Sequence, residues 1–137
     1  MITRNEIFRI HSTVNACEYE ADLAKYGVPE KWADIMTAAG KTGDCEDTMI
    51  GKAHQFLAAG WPVDHLRFAT YWTQPDKAGY HAVLLVDLPT DDGICTYMLS
   101  NGIPTPLVAA DIPAGWVPHM YQIAGTPRWE FAQEAMT

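Results

Sequence analysis

The sequence has few basic residues and no long apolar run. Nine lysines and arginines stand against seventeen acids, so the net charge is -8 and the chain would be repelled by phosphate backbones and anionic lipid surfaces. The longest apolar stretches, such as residues 82–86, have the length of a strand, far short of the roughly 20 residues that span a bilayer. We therefore expect neither a nucleic-acid partner nor membrane insertion.

Cysteine is also scarce. The three cysteines, Cys17, Cys45 and Cys95, are odd in number and show no CxxC spacing, which argues against a disulfide scaffold and against a structural zinc site.

The first ten residues lack the basic patch, apolar run and cleavage site of a signal peptide. We expect reduced thiols and a cytoplasmic location as synthesised, with association with a virion or export by another route as alternatives.

The chain does contain enough apolar residues to form the core of one folded domain. The 137 residues are 48% hydrophobic, and we predict a single domain over residues 1–137. A capping-box pattern at Thr3 and Glu6 begins an amphipathic helix that continues to Ala24. A second helix is predicted between Pro29 and Gly40 and a third between Asp44 and Gly60, and strands are predicted over 66–72, 80–88, 94–99 and 120–124. This order of elements predicts an α+β fold with helices first and sheet second.

Cys45 is placed in the first turn of the third predicted helix, where unsatisfied backbone N–H groups and the helix dipole favour a thiolate. Three acids beside it, Asp44, Glu46 and Asp47, oppose a negative sulfur unless they point elsewhere, pair with a cation or bind a metal. The alternative interpretation is that Cys45 is a small apolar residue packed against the sheet.

Among five histidines, only His81 opens a strongly apolar strand. A helix-start cysteine followed by a strand histidine is the arrangement of a Cys-His hydrolase, in which the histidine acts as the base. The other four histidines are interpreted as solvated or core-edge residues; they are His11, His54, His65 and His119.

Five segments are typical of one protein family: residues 14–27 with Trp32, 43–47 with Lys52, 58–69, 81–86 and 120–132. Through them the chain resembles, nearly end to end, the bacterial transglutaminase-like cysteine peptidases, a group that includes periplasmic calcium-dependent proteases acting on biofilm adhesins. The resemblance implies a papain/transglutaminase-like fold, with N-terminal helices packed on an antiparallel sheet and the nucleophile at a helix N-terminus. It implies that Cys45 is the nucleophile, that His81 is the base and that the substrate is a peptide or protein.

The resemblance also suggests that Asp44, Glu46 and Asp47 contribute to a calcium site, although no cofactor is expected for the chemistry itself. Carboxylate oxygens suit Ca²⁺, and a bound ion would relieve the conflict of charge beside Cys45. The competing interpretation is that Asp44 caps the helix and that Asp47 is a first-turn acid that complements the helix dipole.

The chain departs from the family at the third catalytic position, where the usual aspartate is replaced by Ser100, followed by Asn101. A hairpin that pairs Pro89 with Ile94 would put Ser100 on the same face as His81, because side chains alternate along a strand. A shift of one residue would bring Asn101 there instead. Either side chain can accept a hydrogen bond from the imidazole, but neither stabilises the imidazolium as a carboxylate does.

Hydrolysis also requires donors for the oxyanion. The backbone N–H of Cys45 is the first candidate, and Asn15 and Trp32 are candidates for the second. The leading hypothesis is therefore a cysteine peptidase that acts through a thioester. The alternatives are a weakened or inactive family member that serves as a binding or structural module, with phage association fitting its small size, and a peptidoglycan amide hydrolase.

Overall fold

The computed structural model describes residues 3–19, 42–43, 45–73, 80–122 and 129–131. Within these ranges the chain forms two α-helices, α1 over Arg4–Asn15 and α2 over Cys45–Ala58. The strands are β1 Glu18–Tyr19, β2 Thr42–Gly43, β3 Leu66–Trp72, β4 Tyr80–Thr90, β5 Gly93–Leu99, β6 Leu107–Val108, β7 Val117–Gln122 and β8 Trp129–Phe131. The predicted helix between Pro29 and Gly40 lies outside the described residues.

Helix α1 begins as predicted. The Thr3 hydroxyl accepts a hydrogen bond from the backbone N–H of Glu6, and Ile7, Ile10 and Val14 are buried at helical spacing. The predicted continuation of this helix to Ala24 is wrong, because the helix ends at Asn15 within the residues that the structure describes. The next residues turn away, and β1 pairs in parallel with β2, a contact between distant segments that no local pattern indicates.

Helix α2 begins at Cys45, as predicted, although the proposed cap Asp44 lies outside the described residues. Its C-terminal end is set by Gly60, whose φ of 92° lies in the left-handed region that favours glycine. The backbone N–H of Trp61 then bonds to the carbonyl of Phe56, which closes the last turn.

The described sheet has six strands in the order β6-β5-β4-β3-β7-β8, and every neighbouring pair is antiparallel. One face packs on the helices through residues such as Ala82 and Leu84, and the other carries a second apolar cluster that includes Val83 and Leu85. This confirms the predicted α+β architecture. Strand β7 begins at Val117, earlier than predicted, because its first residues pair with the end of β3.

The hairpin of β4 and β5 fixes the register near the candidate site. Pro89 pairs with Ile94, as the sequence predicts, and the ladder ends at Leu84 and Leu99. Ser100 follows that last pair and has the parity of His81 along the hairpin.

Candidate active site

Cys45 is the first residue of α2, and this helix packs directly against β4, which carries His81 as its second residue. The cysteine is half-buried, and its thiol donates a hydrogen bond to Oε2 of Glu46 over 3.3 Å. The carboxylate of Glu46 therefore faces the sulfur of Cys45, the candidate nucleophile. Its charge opposes a negative sulfur, as the sequence anticipates.

His81 contacts Ser100. Its Nε2 lies 2.6 Å from the Ser100 hydroxyl oxygen, and that hydroxyl donates its single hydrogen to the backbone carbonyl of Asn101 over 2.8 Å. When the hydroxyl hydrogen is used there, Nε2 of His81 is the donor in the shared bond. The neutral ring then carries its proton on Nε2 and keeps the lone pair of Nδ1 for a proton to be abstracted.

The Asn101 side chain does not make this contact. Its backbone carbonyl accepts from Ser100, and its Oδ1 is buried without a hydrogen-bond partner in the described part of the chain. Of the two candidates for orienting the ring, Ser100 is the one that touches it.

The surroundings of His81 keep its ring neutral. Burial, and then the positive charge of Lys52, lower the pKa of His81 from 6.5 to about 4. The indole of Trp116 packs edge to face against the imidazole, with ring centroids 5.3 Å apart. Beside the ring lies a cleft of about 220 Å³, whose other walls include Thr73 and Ile103.

The thiol and the imidazole are not hydrogen-bonded to each other in the structure. Within the described residues, the His81 ring hydrogen-bonds to Ser100 and stacks edge to face with Trp116, while the Cys45 thiol is directed at Glu46. Catalytic hydrogen bonds are often long or misaligned without substrate and tighten only in the complex with substrate.

A buried polar network lies behind Ser100, and the sequence did not predict it. Lys52 is fully buried, and its Nζ lies 3.2 Å from Nδ1 of His11, which is also fully buried. Burial lowers the pKa of Lys52 to about 7, and burial together with the charge of Lys52 lowers the pKa of His11 to about 4. The interpretation of His11 as a solvated or core-edge residue is therefore wrong. Its spacing from Ile7 and Val14 placed it on the buried face of α1 and could have revealed this.

Asn15 has a different place from the one predicted. Its Nδ2 donates to the carbonyls of Ser100 at 3.2 Å and Ile103 at 3.3 Å, so its amide hydrogens are engaged away from any oxyanion. These bonds argue against Asn15 as the second oxyanion donor. Trp32, the other candidate, lies outside the described residues.

Two of the three acids proposed for calcium are described, and Glu46 and Asp47 are both buried in the first turn of α2. Their oxygens suit Ca²⁺, but two carboxylates fall short of its six to eight ligands, and Asp44 lies outside the described residues. Within the described part of the chain, no group of three histidine, cysteine or acidic side chains could hold a metal ion. The same residues contain no helix long and apolar enough to cross a membrane.

Residues 3–104 match the sequence model of a family described as bacterial transglutaminase-like cysteine proteinase. Solved structures of Legionella pneumophila LapG share the fold at 23% identity. One superposes with a TM-score of 0.73 and the calcium-bound form with 0.74, each over 95% of this chain and 69% of that chain. The EGTA-treated form gives 0.68 over 96% and 73%. No curated protein sequence matches. The family is bacterial, and nothing in these matches supports the phage-associated alternative.

Proposed function

Because this chain belongs to the bacterial transglutaminase-like cysteine proteinases, we propose that it hydrolyses an amide bond of a peptide or protein through a thioester on Cys45. One observation carries the proposal. Ser100 engages Nε2 of His81 and leaves Nδ1 as a base, on a strand that packs against the helix beginning with Cys45.

In the proposed reaction, Nδ1 of His81 takes the thiol proton as Sγ of Cys45 attacks the carbonyl carbon of the substrate. The carbonyl oxygen becomes an oxyanion, toward which the backbone N–H of Cys45 can donate. Collapse breaks the C–N bond, and the leaving amine takes the proton from His81. Water then attacks the thioester with His81 again as base, which releases the acid and restores the thiol.

The surroundings of His81 favour a neutral resting pair. A serine hydroxyl can orient the imidazole, but unlike a carboxylate it does not neutralise the imidazolium, and the nearby Lys52 opposes that charge. The proton is therefore transferred during the attack and is not stored beforehand in a thiolate-imidazolium pair.

The thiol must also leave Glu46 to react. Its hydrogen is directed at Oε2 of that residue, so a rotation of the Cys45 side chain away from the carboxylate is part of the proposed catalytic cycle. This makes Glu46 a competitor of His81 for the same hydrogen.

Calcium binding at Asp44, Glu46 and Asp47 is a further element of the proposal. Its supports are the calcium-bound and EGTA-treated forms of a protein with the same fold, and the two buried carboxylates at the start of α2. When bound, the ion would supply positive charge that offsets these acids beside the sulfur.

A second candidate is a family member with little turnover that serves as a binding module. The observation that favours it is the pairing of His81 with a hydroxyl in place of a carboxylate, close to a buried lysine. Restoring the carboxylate with Ser100→Asp separates the two candidates. Turnover that appears or increases in this variant identifies a competent site, whereas a wild type and a variant that both fail on every substrate favour binding.

The proposal is tested by digesting a complex mixture of peptides and sequencing the new termini by mass spectrometry, with Cys45→Ser as the matched control. We expect cleavage by the wild-type chain and none by the control. Purified cell wall is tested in parallel, because peptidoglycan is the remaining substrate alternative. Equal products from wild type and Cys45→Ser on both substrates would contradict an enzymatic role for this cysteine.

A further inference from the structure

We propose that Asn15 and His11 of α1, supported by Lys52, are positioning residues that hold the turn at 100–103 so that the Ser100 hydroxyl meets His81. This inference rests on the proposed function, since it concerns how the base of that reaction is oriented. None of the three residues touches the reacting atoms, and they act through Ser100.

The turn at 100–103 is held at both ends by side chains of α1. Asn15 donates to the carbonyls of Ser100 and Ile103, and His11 donates from Nε2 to the same Ile103 carbonyl over 2.7 Å. Between these two anchors, Gly102 has a φ of 79°, which other residues adopt only with strain, while its Cα faces open space. The glycine is therefore required by the backbone of the turn and not by crowding.

The sheet does not provide this support. The ladder between β4 and β5 ends at Leu84 and Leu99, one residue before Ser100, whereas the backbone of His81 is fixed from the other side by its pairing with Tyr71 of β3. The base and its orienting hydroxyl are thus positioned by different elements. The bonds from α1 fix the backbone of Ser100 where the ladder no longer does.

Lys52 selects the form of His11 that can hold the turn. The Ile103 carbonyl can only accept, so the proton of the neutral His11 ring is on Nε2, and Lys52 donates to the lone pair of Nδ1 that this tautomer leaves. A fully buried lysine is costly compared with an apolar residue of similar size. What Lys52 contributes is its donation to Nδ1 of His11, which favours the tautomer with the proton on Nε2. The other tautomer of His11 would present a lone pair to the Ile103 carbonyl.

A purely stabilising role for the network would lower the melting temperature of variants but would leave the His81 ring unchanged. A positioning role changes the tautomer and the hydrogen bond of that ring. The two roles are therefore separated by the ¹⁵N resonances of His81, recorded on the full chain with labelled histidine. These resonances distinguish a proton held on Nε2 from one shared between both nitrogens.

The test compares Asn15→Leu, which keeps the size and loses the donor, with Asn5→Leu, the same change at an exposed position of α1. We expect His81 of the wild type and of Asn5→Leu to hold its proton on Nε2, and the folded Asn15→Leu to show averaged tautomers. A folded Asn15→Leu with wild-type His81 resonances would overturn the proposal. If Asn15→Leu does not fold, Asn15→Ser replaces it in the test. The serine side chain is too short to reach both carbonyls, so we again expect averaged tautomers of His81.

A second pair tests the other anchor. His11→Gln keeps a donor near the position of Nε2, whereas His11→Leu removes it, so we expect the glutamine variant to retain more of the wild-type His81 spectrum. Equal spectra for the two variants would count against the role of His11. Because these spectra need no turnover, a wild-type chain that cleaves nothing but shows the Asn15 effect refutes the proposed function and supports the positioning role.

Discussion

The hydroxyl oxygen of Ser100 lies 2.6 Å from Nε2 of His81, and its own hydrogen goes to the backbone carbonyl of Asn101. With that hydrogen donated to Asn101, the proton of the neutral His81 ring lies on Nε2 and Nδ1 can accept one. It also means that the candidate base is oriented by a neutral group, so the imidazolium that forms during catalysis has no carboxylate beside it in the described structure.

Ser100→Ala is expected to slow turnover about fivefold to tenfold, since a neutral hydrogen bond contributes about 1 kcal/mol and tenfold in rate corresponds to about 1.4 kcal/mol. Ser12→Ala, at an exposed position of α1, is the matched control and should leave the rate unchanged. A rate in Ser100→Ala equal to that of the control would show that the hydroxyl does not orient the base.

Ser100→Asp is expected to raise the pKa of His81, because a carboxylate next to the ring stabilises its charged form. The pKa is followed by NMR titration of the His81 ring, and turnover is measured on the same samples. We expect both to rise. A titration that still gives a pKa of about 4 would mean that the new carboxylate does not reach the ring.

Lys52→Met is expected to raise the pKa of His81 above about 4, because the positive charge of Lys52 is one of the two causes of its low value. The pKa should stay below 6.5, since burial is the larger cause and persists in the variant. The NMR titration of His81 is again the measurement. No change in this variant would show that the charge of Lys52 does not act on the site.

Stability is expected to fall as the pH is lowered from 6.5 to about 4. Both His11 and His81 have pKa values depressed to about 4 in the folded chain, so in this window the unfolded chain binds more protons and is favoured. The contribution is fully present above pH 6.5 and is lost as the pH falls toward the folded-state values. Urea unfolding as a function of pH measures the slope, and His11→Gln should remove about half of it. An unaltered slope in that variant would contradict the burial of a neutral His11.

Calcium is expected to raise the melting temperature if Glu46 and Asp47 bind the ion with Asp44. The measurement compares millimolar calcium with EGTA, and magnesium serves as a control for general charge screening. Asp47→Asn should abolish the shift, while Asp91→Asn, at an exposed position of the β4–β5 turn, should keep it. The same melting temperature with calcium and with EGTA would remove this site.

The sequence predicts the features of the site that depend on local patterns. The capping residue of α1, the start of α2 at Cys45 and the pairing of Pro89 with Ile94 follow from caps, periodicity and turn residues. The parity of Ser100 with His81 follows from that register, which is why the contact between them could be anticipated.

The features that depend on contacts between distant segments could not be predicted. Helix α1 ends early because the chain turns into a parallel pairing with residues 42–43. The chain of bonds from Lys52 through His11 to Ile103 joins both helices to a loop, and no local pattern encodes it. The direction of the Cys45 thiol toward Glu46 likewise depends on side-chain geometry and not on spacing.

The most direct test of the central claim is the rate at which Cys45 is alkylated by iodoacetamide in the full chain, followed by mass spectrometry. Cys17 and Cys95, which are both half-buried, serve as references in the same sample. We predict that His81→Ala slows the alkylation of Cys45 about tenfold or more while leaving that of Cys95 unchanged, because the imidazole takes the thiol proton as the sulfur attacks. Alkylation of Cys45 at the same rate in the wild type and in His81→Ala would contradict the assignment of this pair as nucleophile and base.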